Sequence, residues 1–284
     1  MKKFDYYQPE SLKEAYGLME KLNGEARFIA GGTDVIVRIK QGALHPDALI
    51  SLRRISALKG LGNEDGLSMG SMTLFRDIER DPAIARDYPA LGEAASVLAN
   101  PQVRNVATIG GNLCNAAPSA DAAPPLMVLE ATLTIEGPGG QREVSIEDFF
   151  RGPGETCLEH TEVVTRITIP KKRKGAGMAF LKIGRVAQDI AIANAAALIV
   201  VENGVCRKCR LSAGAVAPVP LRLKRIEGIV EGRRIEPDLL DRVAEMVQED
   251  VSPITDVRST AQYRKTVSGI LVKRAIKEAL DRAG

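Results

Sequence analysis

The first fifty residues combine short apolar runs with an amphipathic stretch. After Ser11 the apolar positions recur at helical spacing, and Ser11 with Glu14 forms a capping box. We therefore predict a helix that ends at Gly24. The apolar run ARFIA (residues 26–30) predicts a buried strand, and VIVRIK (residues 35–40) predicts a second helix. The chain thus begins with the order strand, helix, strand.

The middle of the chain mixes strand-length apolar runs with helical stretches. GLSMGS (residues 66–71) and EVVTRITIP (residues 162–170) predict strands, the second of which Pro170 ends. PALGEAASVLA (residues 89–99) predicts a helix, and Thr73 is a candidate cap for a short helix that follows it. This interleaving is typical of an α+β fold.

The basic run Lys171–Lys174 is typical of a solvated junction between two parts of the chain. Beyond it the pattern predicts a strand, a hairpin around residues 202–204 and two helices. The first helix begins at Pro237, and the second runs from about Thr260 to Ala283. One apolar stripe is predicted for the second helix, consisting of Tyr263, Val267, Ile270, Leu271 and Ile276. The two α+β parts should meet near residue 172.

The pair Cys206 and Cys209 admits two interpretations. Its spacing suits a redox dithiol or half of a zinc site. Alternatively the pair lies in a strand, where residues three apart point to opposite faces. The only histidines are His45 and His160, which are far apart in sequence. We favour the strand and predict no metal site.

The composition narrows the classes of function. Hydrophobic residues make up 45% and charged residues 26% of the chain, which is ordinary for a globular protein. The net charge of +3 and the aromatic content of 4% argue against nucleic-acid binding, which needs basic patches or stacking platforms. No apolar run approaches the roughly 20 residues of a membrane span, and no apolar signal segment follows the first lysines. We therefore expect a cytoplasmic protein.

The stretch AGGTD (residues 30–34) lies where a predicted strand turns into a helix. Glycine has no Cβ, so a ligand can approach the main chain closely, and a helix start offers free N–H groups. Thr33 adds a hydroxyl. Such a turn suits a phosphate or pyrophosphate, although a glycine pair at this place is also a common plain turn.

The stretch ATIGGNLCNAAPSAD (residues 107–121) repeats the chemistry of a β-branched residue, two glycines and a polar side chain. Two such loops could bind one diphosphate from both sides. Asp121 would be repelled by phosphate, so it suits a sugar or ribityl hydroxyl. It could also serve as the N-cap of the helix that follows.

The sequence contains no catalytic centre of a familiar kind. The phosphate motifs G-x-x-x-x-G-K-[ST] and G-x-G-x-x-G are absent, and neither histidine lies near a G-x-S-x-G motif. We predict no catalytic residue, so the chemistry should come from a cofactor.

Five stretches together resemble one family. They are FDYYQPESLKEA, IAGGTDVIV, ATIGGNLCNAAPSADAAPPL, FLKIGRVAQDIAIANAA and GAVAPVPLR. In order and spacing they are similar to the FAD-binding medium subunit of the molybdenum hydroxylases, the xanthine dehydrogenase and carbon monoxide dehydrogenase flavoprotein family. The resemblance implies a two-lobed FAD-binding domain of the vanillyl-alcohol-oxidase type over residues 1–172, with lobes at about 1–55 and 56–172. A smaller α+β C-terminal domain would cover residues 176–284.

The resemblance also implies the residues that contact FAD. Asp121 matches the aspartate that contacts the flavin, Lys182 matches a lysine at the cofactor, and Val164 matches a backbone contact. Without the resemblance, Lys182 would be a solvated strand residue and Val164 an ordinary core residue. The remaining implied contacts lie in the two glycine loops and are Phe28, Ile29, Ala30, Gly31, Gly32, Thr33, Asp34, Val35, Thr108, Gly111 and Asn112.

The function implied by the resemblance is electron transfer. Electrons would arise at molybdopterin on a large subunit, pass two [2Fe–2S] clusters on a small subunit, and reach FAD on this chain. The flavin would then reduce NAD or another acceptor. Two alternatives stay open, namely a stand-alone flavin-dependent oxidoreductase of the same superfamily and a flavin-free scaffold whose glycine loops are only turns.

Overall fold

The first part of the molecule is a small parallel sheet with two helices. The computed structural model describes residues 3–22 and 25–283. The strands run in the order β1, β3, β2, and all neighbours are parallel. The predicted order strand, helix, strand is confirmed. The elements are β1 (Asp5–Tyr7), α1 (Leu12–Lys21), β2 (Ala26–Ile29), α2 (Val35–Lys40) and β3 (Ala48–Ser51), followed by 3₁₀ turns at Leu52–Arg54 and Ser56–Leu58.

Helix α1 begins as its sequence predicts. The hydroxyl of Ser11 accepts a hydrogen bond from the N–H of Glu14 at 3.2 Å. The Glu14 carboxylate reaches back to the N–H of Glu10 at 2.9 Å, one residue before the cap. Gly24, predicted to end the helix, lies outside the described residues.

The second part is a five-stranded antiparallel sheet surrounded by short helices. The strand order is β4, β5, β10, β6, β7. The predicted strands and the predicted helix at residues 89–99 are confirmed. The elements are β4 (Leu61–Gly62), β5 (Leu67–Gly70), α3 (Phe75–Arg80), α4 (Pro82–Asp87), α5 (Pro89–Val97), α6 (Pro101–Arg104), α7 (Ile109–Asn115), α8 (Ala123–Val128), β6 (Thr132–Gly137), β7 (Gly140–Ser145), α9 (Ile146–Phe149), β8 (Phe150–Gly152), β9 (Glu155–Thr156) and β10 (Val163–Ile169).

The predicted cap of α3 is wrong. The N-cap position is Leu74, which makes no side-chain cap bond. The hydroxyl of Thr73 instead donates to the carbonyl of Gly60 at 3.1 Å. Thr73 therefore joins two loops of the second part, a contact that the local sequence does not announce.

The third part is a four-stranded antiparallel sheet in the order β11, β12, β13, β14. The basic run Lys171–Lys174 lies between β10 and β11. Helices α11 and α12 were predicted, whereas the short helix α10 was not. The elements are β11 (Ala176–Ile183), β12 (Ala193–Glu202), β13 (Val205–Gly214), β14 (Leu221–Arg222), α10 (Lys224–Val230), α11 (Pro237–Asp250) and α12 (Ala261–Asp281).

Strand β12 is buried on both faces, which explains its nearly continuous apolar sequence. Ala197 and Ile199 belong to the apolar cluster that contains residues of α11 and α12. Ala196 and Leu198 belong to the cluster of the second part, which also contains Leu126. The sheet is therefore covered by helices of both the second and the third part.

The prediction that Cys206 and Cys209 point to opposite faces of their strand is wrong. Val200 pairs with Lys208 but Val201 pairs with Cys206, so Arg207 is the extra residue of a β-bulge. The bulge shifts the alternation by one residue, and Cys206 and Cys209 are both fully buried in one apolar cluster. Among the described residues, no group of three potential metal ligands forms around them or elsewhere.

The predicted stripe of α12 is partly wrong. Thr260 caps the helix through a bond from the N–H of Tyr263, and Val267, Leu271 and Ile276 are buried as predicted. Tyr263 and Ile270 are exposed, because the buried face is centred one position away. Within the described ranges, no helix is both long and apolar enough to cross a membrane.

Candidate functional site

A cleft of about 670 Å³ lies where the three parts of the molecule meet. Its lining includes residues of the first part, the second part and the loop after β11. Every residue predicted to contact the cofactor lines this cleft except Ile29. The side chain of Ile29 is buried with Ile39 and Leu49 between β2, α2 and β3.

The loop between β2 and α2 needs both of its glycines. Gly32 has a φ of +80°, a conformation that other residues rarely adopt. A Cβ on Gly31 would lie 2.1 Å from the carbonyl oxygen of Val106. The first glycine therefore permits close packing against the second part, and the second glycine permits the turn.

This first loop retains unused hydrogen-bond donors. No described residue accepts a hydrogen bond from the N–H of Gly32, Thr33 or Asp34. The hydroxyl of Thr33 is only weakly engaged, at 3.3 Å from the Asp34 carboxylate. Three consecutive open N–H groups on residues lining a cleft suit an anionic ligand.

The second glycine segment differs from the first loop, because the N–H groups of its first helical turn already donate hydrogen bonds within the protein. Helix α7 begins at Ile109, whose N–H donates to Thr73, and the N–H of Gly110 donates to the carbonyl of Ser71. The capping hydroxyl of Thr108 accepts from the N–H of Gly111 at 3.0 Å. The N–H groups of this first turn are therefore bonded within the protein, by Ser71 and Thr73 from a distant part of the chain and by the local Thr108.

The second segment contributes side chains instead of backbone donors. Asn112 Oδ1 is buried and has no partner among the described residues. The hydroxyl of Ser71, beside Gly110, is likewise buried without one. Both residues line the cleft. Unsatisfied buried polar atoms are costly, so their presence here points to a ligand with complementary donors and acceptors. Ser71 was missed because nothing in its sequence context separates it from the other strand-end serines.

A side-chain bond joins the two glycine segments. The amide of Asn115 donates to the Asp34 carboxylate at 3.1 Å. With the Gly31–Val106 contact, this bond makes the two segments one continuous surface of the cleft.

Asp121 and Lys182 form a buried ion pair at the cleft. The Lys182 ammonium lies 2.6 Å from Asp121 Oδ2, and the two side chains are only 7% and 6% exposed. Asn194 donates to Asp121 Oδ1 at 2.9 Å. Burial raises the pKa of Asp121, and this effect outweighs Lys182 and Asn194, which favour the ionised form. Lys182 is thus not a solvated strand residue. The N-cap position of α8 is Ala122, so Asp121 is not that cap.

Val164 and Cys114 line the same cleft. Val164 is nearly fully buried and lies in β10 where the pairing with β6 contains a bulge. Cys114 is an exposed, free cysteine on the cleft surface.

Two arginines add positive charge on the side of the first part. Arg27 and Arg38 line the cleft, and their side chains pair with no carboxylate in the described part of the chain. Unpaired guanidinium groups attract a negatively charged ligand. Sequence reasoning missed them, because isolated arginines on a strand and a helix carry no motif.

The comparisons with known proteins agree over nearly the whole chain. A family described as the FAD binding domain in molybdopterin dehydrogenase matches residues 2–172. A second, described as the CO dehydrogenase flavoprotein C-terminal domain, matches residues 178–279. The xanthine dehydrogenase FAD-binding subunit of Escherichia coli O157:H7 is 35% identical over 283 residues, which cover 98% of this chain and 97% of that protein.

Carbon monoxide dehydrogenase of Hydrogenophaga pseudoflava is similar in both sequence and structure. Its medium chain is 32% identical over 278 residues, which cover 98% of this chain and 97% of the relative. A solved structure of that enzyme superposes with a TM-score of 0.97 at 32% identity, covering 100% of this chain and 99% of the matched chain.

Proposed function

Since this chain belongs to the family of FAD-binding subunits of xanthine and carbon monoxide dehydrogenase-type molybdenum hydroxylases, we propose that it transfers electrons through FAD within a heteromeric enzyme. The fold is the predicted two-lobed FAD-binding domain of the vanillyl-alcohol-oxidase type with a smaller α+β C-terminal domain. The chain is an oxidoreductase subunit, as predicted.

The residues present in the cleft fit FAD. The volume of about 670 Å³ is in the range of cofactor sites, roughly 300–1,000 Å³. The open N–H groups of Gly32, Thr33 and Asp34 suit a diphosphate, and Arg27 supplies charge nearby. The buried Asn112 Oδ1 needs a donor, which the ring N–H or ribityl hydroxyls of a flavin offer.

The predicted contacts are proposed to bind FAD in two groups. The loop residues from Phe28 to Val35 would hold the diphosphate side, although Ile29 would contribute only main-chain atoms. Thr108, Gly111 and Asn112, with Asp121, Val164 and Lys182, would lie along the flavin and its ribityl chain. Asp121 retains acceptor capacity beyond its two bonds, because a carboxylate accepts about four hydrogen bonds.

The protein's contribution to electron transfer is binding and orientation. FAD supplies the redox chemistry, since flavins accept and release electrons singly or in pairs. The chain positions the flavin between an electron source and an acceptor. No described side chain needs to act as a general acid or base for this role, and we propose none.

The proposed partners are an iron–sulfur small subunit and a molybdopterin large subunit. The Hydrogenophaga relative is the medium chain of its enzyme, and the superposed structure is of that enzyme in a form that lacks the Mo-pyranopterin moiety of its molybdenum cofactor. Electrons would pass from [2Fe–2S] clusters to FAD and then to NAD or another acceptor.

The proposed division of the chain stays at residues 1–172, with lobes of about 1–55 and 56–172, and at residues 176–284. The matches to the two families support a boundary between residues 172 and 178. The hydrophobic core does not divide at this boundary, because Phe180 and Leu198 lie in the same apolar cluster as Leu126.

The observation that carries the FAD site is the row of open N–H groups at Gly32–Asp34, and Gly32→Val tests it. Released cofactor from the purified chain is identified by chromatography. We expect stoichiometric FAD in the parent and little in Gly32→Val, because a side chain at φ +80° distorts the loop. Gly111→Val should also lower occupancy, since its Cβ would lie 2.8 Å from Thr108 Oγ1.

Gly139→Val is the matched control, because nothing lies within 4 Å of a Cβ at that turn. A folded parent that cannot be loaded with FAD would refute the site and favour the scaffold. A chain that oxidises organic substrates without any partner subunit would favour the stand-alone oxidoreductase.

A further inference from the structure

Three residues form a row across the third sheet beside the cleft. In the register of β11, β12 and β13, Lys182 lies opposite Asn194, and Asn194 lies opposite Gly214. Lys182 lines the cleft, whereas Asn194 lies behind it. The row therefore leads from the cleft into the core.

Asn194 is the only polar residue between Ile190 and Val201, and it is 1% exposed. It shares a face of β12 with Ala196 and Leu198, which pack on the second part. A buried amide is costly unless it is hydrogen-bonded, so an apolar residue would be the default at this position. The single bond that the Asn194 amide makes is to Asp121.

The two oxygens of the Asp121 carboxylate accept hydrogen bonds from two different strands. Lys182 on β11 binds Oδ2 at 2.6 Å, and Asn194 on β12 binds Oδ1 at 2.9 Å. An ammonium alone leaves a carboxylate free to rotate, because it is a point charge that accepts many geometries. The second bond fixes the plane of the carboxylate at the cleft.

Gly214 provides the space for this amide. A Cβ at Gly214 would lie 2.3 Å from Asn194 Oδ1 and 3.1 Å from a side-chain carbon of Pro124. Any larger residue would push the amide out of place. Asn194 on β12 and Gly214 on β13 thus together hold the Asp121 carboxylate in one orientation.

We propose that Asn194 is a positioning residue of the flavin site, which fixes the orientation of the Asp121 carboxylate toward the cofactor, and that Gly214 is required for this role. The inference rests on the proposed placement of FAD in the cleft. Asn194 does not line the cleft, so it acts on FAD only through Asp121.

The test measures the dissociation constant of FAD by flavin fluorescence on apoprotein. Asn194→Leu keeps the size of the side chain and removes the donor. We expect FAD to bind about three- to tenfold more weakly, because binding must then order the carboxylate. Gly214→Ala should have a similar effect, and the double variant should be no worse than Asn194→Leu. Ser212→Ala is the control, since Ser212 is buried on the same face but bonds Leu221.

Asn194→Asp supplies a pH-dependent readout. At neutral pH its carboxylate faces that of Asp121, and FAD should bind more weakly than to the parent. Asp121 is the charged group bonded to residue 194, and Lys182 is the charged residue opposite it on β11. On α5 the carbonyl of Val97 accepts a hydrogen bond from Lys182, and on β13 the residue opposite position 194 is Gly214. As pH falls, a protonated Asp at position 194 can donate in place of the amide, so affinity should recover toward the parent's value at the same pH, unlike that of Asn194→Leu.

A purely structural role would lower the unfolding temperature of Asn194→Leu and leave the FAD dissociation constant unchanged, which would overturn the proposal. If Asn194→Leu does not fold, an absence of acid recovery in Asn194→Asp would overturn it as well. Failure of the flavin site itself is a separate result, because Gly32→Val would then bind FAD as tightly as the parent.

Discussion

The loop Gly31–Asp34 has its two glycines before helix α2, whereas the segment Thr108–Asn112 has its two glycines in the first turn of helix α7, and the two regions use their main-chain N–H donors differently. In the loop, the N–H groups of Gly32, Thr33 and Asp34 have no partner among the described residues. In the segment, the N–H groups of the first turn are bonded to Ser71, Thr73 and Thr108. A glycine pair thus leaves main-chain donors open for the proposed ligand in the loop, whereas in the segment the protein's own packing uses them.

The largest effect is expected where the loop packs against Val106, just before the segment. Gly31→Ala places a Cβ 2.1 Å from the carbonyl oxygen of Val106, so the main chain must move. We expect the free energy of unfolding to fall by about 2–3 kcal/mol and FAD affinity to fall with it. Denaturant unfolding and FAD titration measure the two effects. Gly139→Ala, which meets nothing within 4 Å, should change neither.

Thr108→Val tests whether the second segment serves mainly its own structure. The variant keeps the buried shape and removes the hydroxyl that accepts from Gly111. We expect the apoprotein to lose about 1 kcal/mol of stability, which is typical for a lost N-cap. FAD should bind with nearly the parent's affinity, because the Thr108 hydroxyl is already engaged by Gly111 and the other proposed contacts of this segment, Gly111 and Asn112, are retained. A large loss of affinity with unchanged stability would reverse the assignment of the two segments.

Thr33→Val is the matched change in the first loop and should have the opposite signature. Its hydroxyl makes one long bond to the neighbouring Asp34, so the apoprotein should lose less than about 0.5 kcal/mol. FAD affinity should fall up to about tenfold, because a hydroxyl beside the open N–H groups is lost. Equal effects of Thr33→Val and Thr108→Val on affinity would remove the distinction between the segments.

Local sequence was sufficient where local forces decide the structure. Helix α2 spans the six residues that its pattern predicts, and the cap at Ser11 forms as expected. The glycine loops and the cleft residues could be located by resemblance, and all but Ile29 line one cavity. Their assignment as FAD contacts stays a prediction.

The features that sequence missed depend on contacts between distant segments. The bulge at Arg207 is defined by its pairing with β12, so the faces of Cys206 and Cys209 could not be read from spacing alone. The first N–H groups of α7 donate hydrogen bonds to the carbonyls of Ser71 and Thr73, which lie more than thirty residues earlier. Asn194 interrupts the apolar run of residues 190–201, and only the position of Asp121 gives its side-chain amide a role.

The burial of β12 on both faces has a consequence for the order in which the chain can fold. Leu198 and Val200 complete the apolar cluster that begins with residues such as Leu67 and Phe75. While the chain is being synthesised, helices α5 and α8 therefore lack their cover until β11 and β12 have emerged. The second part cannot reach its final packing as an independent unit, and its maturation is coupled to that of the C-terminal sheet.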